Sequence, residues 1–141
     1  EEVRVMHKPT SHTDGDAIIH FKNANVIHMG DCFFASRFPF VDLNAGGSVQ
    51  GLIKTIESTI ANAPDGVKII PGHGPLSTVD DLKTYLTMLK ETSEMVQKQM
   101  AEGKSVTDVK AGGVPSKYES WGSGFINADR WLETLYNSYS N

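Results

Sequence analysis

The chain has 141 residues, of which 39 % are hydrophobic, and this is enough for one domain with a core of ordinary size. Its 17 Asp and Glu residues outnumber its 13 Lys and Arg residues, and no basic face indicates binding to nucleic acid or to an anionic membrane. The single cysteine, Cys32, excludes an internal disulfide and a cysteine-based zinc cluster, and no apolar stretch approaches the roughly 20 residues of a membrane span.

The first third of the chain predicts three short strands followed by a long loop. "VRVMH" alternates weakly before a proline, "DAIIHF" follows the polar bend "SHTDG", and "VIHMGD" follows the turn "KNAN". Two strands joined by a short polar turn are typical of a hairpin, so part of the sheet should be antiparallel. The segment "CFFASRFPFVDLNAGGS" is predicted to be a loop, and loops of this length inside a compact domain are often functional.

The rest of the chain predicts three helices and one more strand. Apolar residues recur at helical spacing over 49–63, with Ser48 as the N-cap, and "VKII" then forms a buried strand that ends at "PGHG". A capping box beginning at Thr78 opens a long helix that ends at Gly103. "KSVTDVKAGGVPSKYESWGSG" is predicted to be irregular, and Asn127 caps a last helix. This order indicates one mixed α/β domain spanning the whole chain.

Three side chains that can bind a metal lie where predicted strands begin or end: His12, Asp31 and His73. Zinc sites combine imidazole nitrogens and carboxylate oxygens held about 2.0–2.2 Å from the ion. If the strands are neighbours, these three residues should meet at one edge of the sheet. Strand ends would hold them firmly and leave a coordination position open for water.

Each candidate also has an ordinary structural explanation. His12 could cap its own turn, and Asp31 could simply end a strand, so the residues alone leave both interpretations open. The functional interpretation is favoured for His73, because Gly72 and Gly74 free the backbone to hold the imidazole in an unusual direction.

The other reactive or aromatic side chains are assigned no ligand role. His20 and His28 lie inside strands, and His7 has no supporting motif. Cys32 follows Asp31 in an extended segment and should therefore point to the opposite face. This predicts a small buried residue that lies next to the metal ligands without binding the metal. Four aromatic residues of the predicted loop either line a substrate pocket or attach the loop to the core: Phe33, Phe34, Phe38 and Phe40.

Together, "SHTDGDAIIHF", "VIHMGDCFF" and "IIPGHGPL" resemble three metal-ligand motifs of the metallo-β-lactamase-fold hydrolase superfamily, in the same order. The resemblance covers residues 1–100, and "GFINADRWLETLYNSYSN" is similar to the closing helix of some members. It implies an α/β fold that is half of a four-layer αββα sandwich, with a mixed β-sheet and helices packed on one face.

The resemblance also implies roles for individual residues. His12 corresponds to a ligand of the first metal, Asp31 to the carboxylate that bridges both metals, and His73 to the last ligand of the second metal, with zinc as the expected ion. An aspartate at the bridging position is more similar to the wider hydrolases than to the zinc β-lactamases proper. Asp16 corresponds to no metal ligand of the superfamily and is expected to contact a ligating histidine. Cys32 is likewise expected to lie beside the ligands without binding the metal.

The leading motif of the superfamily, His-x-His-x-Asp-His, is absent from the 141 residues. We therefore expect the chain to correspond to the C-terminal half of such an enzyme, with weak metal binding and little turnover by itself. The missing N-terminal half, or a second copy in a homodimer, would cover the apolar sheet face. Exposing about ten apolar side chains of that face would cost roughly 15–30 kcal/mol.

The predicted function is that of a fragment of a metal-dependent, zinc-type hydrolase, which activates water at a two-metal site against a small-molecule substrate. The alternative is a non-catalytic assembly or binding module derived from the same fold. Neither interpretation involves nucleic acid or a membrane. The substrate stays undetermined, and so does the compartment, although the likeness of "GDCFF" and the C-terminal segment to exported members favours the periplasm over the cytoplasm.

Overall fold

The alternating apolar residues of the first third form three consecutive strands, as predicted. The computed structural model describes residues 1–140 and places these strands at β1 (Val3–Lys8), β2 (Asp16–Phe21) and β3 (Val26–Phe34). β1 pairs with β2 and β2 pairs with β3 in antiparallel fashion, whereas β4 (Lys68–His73) joins β3 in parallel. The strand order is β1-β2-β3-β4, so the sheet is mixed.

Four α-helices follow or interrupt the strands: α1 (Val49–Asn62), α2 (Val79–Ala101), α3 (Val106–Gly112) and α4 (Ala128–Tyr139). The predicted caps are confirmed for α1, α2 and α4, because the side chains of Ser48, Thr78 and Asn127 each accept a hydrogen bond from a backbone N–H of the first turn. Short 3-10 helices lie at Leu43–Ala45 and Ser116–Ser123. None of the helices within residues 1–140 has both the length and the apolar character needed to cross a bilayer.

Two segments differ from the sequence prediction, one by a longer strand and one by an additional helix. β3 continues to Phe34, which pairs with His73 of β4, so the segment predicted to be a loop begins with buried strand residues. The segment predicted to be irregular contains α3, whose capping box joins Ser105 and Asp108. α3 lacks a long apolar stripe because Val109 is its one residue with a buried side chain, and this explains why hydrophobic periodicity did not reveal it.

The core lies between the helices and one face of the sheet. The side chains of Ile18, Ile27 and Ile69 project from that face and are almost completely buried. Helices α1, α2 and α4 contact one another above it. Within this layer the Trp131 indole Nε1–H donates to Thr92 Oγ1 across 3.2 Å, so the one polar atom of a large buried side chain is satisfied.

The opposite face of the sheet has no helical layer. By strand register it carries mostly apolar side chains, namely Val3, Val5, Ala17, Ile19, Phe21, Val26 and Ile70. Of these, Val3 and Val5 are exposed, at 47 % and 63 %, and the others are half-buried by their neighbours. The expected apolar face is therefore present. Because most of its side chains are half-buried, the free-energy cost of exposing it is smaller than the value expected for ten fully exposed side chains.

Substituting Leu135 with alanine should lower the free energy of unfolding by about 2–5 kcal/mol, because the buried side chain leaves a cavity between the helices. Leu135 is completely buried, whereas Leu76 is 61 % exposed. The matched control Leu76→Ala should therefore change stability by less than about 0.5 kcal/mol. Urea denaturation followed by circular dichroism measures both, and equal losses in the two variants would contradict the packing described here.

Candidate metal centre

The bend that carries His12 is held in place by residues distant in sequence. The His12 carbonyl accepts a hydrogen bond from Asp42 N at 2.9 Å, and the Ser11 carbonyl accepts one from Ser48 N at 3.0 Å. The buried Ser11 hydroxyl also hydrogen-bonds to the Thr55 hydroxyl of α1. The polar character of the bend is therefore used to attach it to α1 and the loop before it, and the backbone that presents the imidazole is firmly positioned.

The His12 imidazole is oriented by Asp16 at the start of β2. His12 Nδ1 lies 3.2 Å from Asp16 Oδ1, and Asp16 Oδ2 accepts a hydrogen bond from Thr13 N at 2.7 Å. A carboxylate beside Nδ1 favours the tautomer with the proton on that atom, which leaves the lone pair on Nε2. The ring edge also contacts the Phe40 ring, with centroids 5.8 Å apart.

The Asp31 carboxylate lies between two imidazoles. Its Oδ2 is 3.8 Å from His12 Nε2, and its Oδ1 is 3.2 Å from His73 Nε2. The structure thus brings together the three residues that the sequence analysis selected, although they lie far apart in the chain. The side chains of Asp31 and His73 are 41 % and 51 % exposed, so the cluster is open to solvent on one side.

His73 is held at the end of β4 by its neighbours in β3. Its ring stacks on Phe34 with centroids 4.6 Å apart, and its carbonyl accepts a hydrogen bond from Ala35 N at 2.9 Å. The two flanking glycines have different roles. Gly74 has a φ of +111°, whereas Gly72 is needed for space, because a Cβ there would collide with Asp31 Oδ1.

Cys32 is completely buried beside this cluster. Burial raises the pKa of its thiol to about 12, and the nearby Asp16 carboxylate adds to the effect. The side chain is therefore a neutral thiol at physiological pH.

The aromatic residues near the cluster fall into two groups. Phe33, Phe34 and Phe38 are buried and attach their segment to the core, whereas Phe40 is half-buried against His12. Phe40 in turn contacts Phe125 edge-on, with centroids 6.4 Å apart, and Phe125 is 73 % exposed.

The guanidinium of Arg130 lies 5.2 Å from the centre of the Phe125 ring. Neither Phe125 nor Arg130 was predicted from the sequence, since nothing in the local pattern indicates that Phe125 lies beside Phe40, 85 positions earlier.

The donor atoms fit part of a metal site. Two ligands on a tetrahedral ion, each about 2.1 Å from it, lie about 3.4 Å apart, and the two nitrogen–oxygen separations around Asp31 are 3.2 and 3.8 Å. Each separation joins one imidazole nitrogen and one carboxylate oxygen, which are suitable zinc ligands. Within residues 1–140, however, no three His, Cys, Asp or Glu side chains converge as a complete ion site. The cluster could therefore give one imidazole nitrogen and one carboxylate oxygen to each of two metal positions.

Neither a protein-family model nor a curated protein matches this sequence. Solved structures do match. A double mutant of the sec-alkyl sulfatase PisA1 covers 97 % of this chain with a TM-score of 0.74 and 16 % identity, over 24 % of its own length. A metallo-β-lactamase from Pontibacter korlensis covers 62 % of this chain, and VMB-1 covers 64 %, each with a TM-score of 0.54 and 16 % identity.

These matches confirm the predicted fold class: the chain has part of the metallo-β-lactamase fold, with a mixed four-stranded sheet and helices. The chain spans 41 % of the Pontibacter enzyme and 42 % of VMB-1, so it corresponds to less than half of each.

Substituting Gly72 with alanine should displace the Asp31 carboxylate, because the new Cβ would lie too close to Oδ1 and to the backbone carbonyl of Gly30. We expect a changed ¹³C shift for the Asp31 carboxyl and a loss of about 1–3 kcal/mol of stability from overpacking. Gly112→Ala is the matched control, since nothing lies within 4 Å of a Cβ at that position. An unchanged Asp31 signal in the Gly72 variant would show that the carboxylate does not pack against this glycine.

Proposed function

We propose that this chain supplies ligands to a two-metal centre of a metal-dependent hydrolase, with zinc as the metal. The observation that supports this most directly is the position of Asp31, whose two oxygens face Nε2 of His12 and Nε2 of His73. A carboxylate placed in this way can give one oxygen to each of two ions separated by about 3.5–4 Å, the spacing found in two-metal hydrolases. The shared fold with metallo-β-lactamases and an alkyl sulfatase supports the same proposal.

Each side chain has a definite task in this proposal. Asp31 would hold both metal ions, and each of the two histidines would hold one of them. Asp16 keeps the proton of His12 on Nδ1, so that Nε2 presents its lone pair toward Asp31. The stacking of His73 on Phe34 limits rotation of the second imidazole. When bound, the ions lower the pKa of a coordinated water and polarise the carbonyl, phosphoryl or related group that is attacked.

The surroundings of His12 favour a substrate with an apolar part. Phe40 contacts the His12 ring, and the exposed ring of Phe125 extends this aromatic surface outward. Arg130 beside Phe125 adds a positive charge at the far end. We therefore infer a small molecule whose scissile bond lies next to an apolar group.

The proposal requires further ligands, because this chain offers two donors to each ion and structural and catalytic zinc sites use at least three protein ligands. We propose that the remaining ligands come from a second β-layer that covers the face bearing Val5 and Ile19. This layer would belong to a preceding segment of the same protein or to a second copy of the chain. The absence of His-x-His-x-Asp-His, the leading motif of the superfamily that the sequence resembles, favours the preceding segment.

The alternative function is a non-catalytic assembly or binding module that keeps the sheet edge without the chemistry. The sequence of the gene upstream of the codon for Glu1 distinguishes the two. A His-x-His-x-Asp-His motif in the same reading frame supports the hydrolase, and a start codon directly before Glu1 with no such motif on a partner chain supports the module.

Titration with Zn²⁺ tests the proposed ligands directly. The imidazole ¹⁵N signals of His12 and His73 should shift together, and Asp31→Asn should weaken binding at least about tenfold, because the negative charge and one of the two oxygens are lost. Asp16→Asn should weaken it by about ten- to a hundredfold through the orientation of His12. The control is Asp14→Asn in the same bend, whose carboxylate makes no contact with the three ligands within the described residues. Equal weakening by the control substitution would argue against the assignment.

The same 141-residue chain should hydrolyse chromogenic lactam, ester, thioester and sulfate-ester substrates little or not at all when loaded with zinc, because each ion lacks protein ligands. The rate is compared with and without a chelator and with Asp31→Asn. Fast, chelator-sensitive hydrolysis by the chain alone would contradict the proposal that ligands from a second layer are required, while it would support the assignment of the metal centre.

A further inference from the structure

A second polar concavity lies on the helix-covered side of the sheet, between β1, β2 and α1. It has a volume of about 250 Å³ and adjoins a second cavity of about 290 Å³ that shares Lys8 and Ser58 with it. Neither cavity is lined by His12, Asp31 or His73, so this groove is separate from the candidate metal centre. We refer to the two joined cavities as the β1–α1 groove.

Strand alternation places two cations on the same wall of the groove. Arg4, Met6 and Lys8 alternate along β1 and therefore project to the same face, where all three line the cavity of about 250 Å³. His20 of β2 is the register partner of Arg4 and lines the same cavity. Lys54 of α1 lines the adjoining cavity from the opposite wall.

The positive charges in this groove are not compensated. Within residues 1–140, Arg4, Lys8 and Lys54 form no ion pair, although the chain as a whole carries a net charge of −4. No Asp or Glu side chain lines either cavity.

The acidic residues that come closest are engaged elsewhere. Glu2 pairs with Lys22 at 2.6 Å, and Asp16, opposite Lys8 in the sheet, binds His12 and Thr13. Glu57 of α1 pairs with Lys90 at 2.6 Å.

The groove also contains an unsatisfied polar atom. His20 Nε2 is buried and has no hydrogen-bond partner in the described part of the chain. Buried polar atoms in native proteins are almost always paired, and an exception indicates a missing partner. An acceptor placed in the cavity would be attracted to the surrounding cations, and it would reach Nε2 after a rotation of the His20 side chain.

We infer that the β1–α1 groove binds the tetrahedral dianionic group of a small molecule, a phosphate or a sulfate. Such a group has enough oxygen atoms to accept hydrogen bonds from Arg4, Lys8 and His20 at once, and Arg is well suited to bind two oxygens together. Lys54 and the Ser58 hydroxyl would contact the rest of the molecule in the adjoining cavity. The groove is short and the chain is acidic overall, whereas a nucleic-acid surface needs an extended basic stripe.

The test is an NMR titration of the ¹⁵N-labelled 141-residue chain with sodium phosphate and with sodium sulfate, each against sodium chloride at matched ionic strength. Saturable shifts of the backbone amides of Met6, His20 and Ser58 are expected with the oxyanions. Arg4→Gln and Lys8→Gln should each weaken binding about fivefold or more, since each removes one charged contact to the oxyanion. Two separate variants, checked by thermal unfolding, keep the test valid if one of them is destabilised.

The matched control is Lys98→Gln on α2, which removes the same charge from an exposed lysine that forms no ion pair in the described residues. The oxyanion affinity of this control should equal that of the parent chain. The Asp31→Asn variant should also bind the oxyanion with the parent affinity, so a wrong assignment of this groove can be distinguished from a wrong assignment of the metal centre. A response to only one of the two oxyanions supports the proposal and identifies the group. Shifts that chloride reproduces, or equal weakening by Lys98→Gln, would overturn it.

Discussion

The parallel pairing of β3 with β4 is the constraint on which the candidate centre depends. It places Asp31, inside the second half of β3, beside the end of β4, so that Asp31 and His73 meet although they come from separate parts of the chain. The ladder has register shifts on both sides of Gly30, and such irregularities redirect side chains next to functional sites. Gly72 then leaves the space that the Asp31 carboxylate occupies. A larger residue at this one position would conflict with the geometry of the whole cluster.

The third member of the cluster depends on a different set of interactions. His12 is in a bend, and its position is determined by hydrogen bonds to the backbone before α1 and to Asp16 in β2. The helix layer and the sheet therefore both contribute to the position of this imidazole. Burial keeps the neighbouring Cys32 thiol neutral, so the negative charge of the centre resides on carboxylates. Rigid support of this kind is what a metal site needs, because small displacements of a ligand reduce affinity strongly.

The two faces of the sheet differ in how they are covered. One face is covered by three helices and forms the core, while the other keeps an apolar surface with Val3 and Val5 exposed. In layered α/β proteins an apolar sheet face is buried against another layer. A layer added here would cover the apolar face and stand next to the open side of the Asp31 cluster. In the proposed function, one added layer would therefore both bury this face and complete the centre.

The sequence by itself determined the elements and the candidate ligands. Hydrophobic alternation and helical spacing located β1, β2, β4 and the three longer helices, because local periodicity reports which face is buried. The three motifs at strand ends were sufficient to select His12, Asp31 and His73, and the solved structures agree on the fold.

The tertiary structure alone decided how these residues relate to one another, because strand register, bulges and loop packing depend on contacts between distant segments. It showed which oxygen of Asp31 faces which imidazole. It also showed that glycine is needed at position 72 because a side chain there would collide with Asp31, and not because the backbone adopts an unusual conformation. It also brought Phe125 beside Phe40 and placed Arg4 and Lys54 on opposite walls of one groove. No periodic pattern encodes such contacts, since each depends on the way two independently formed elements pack together.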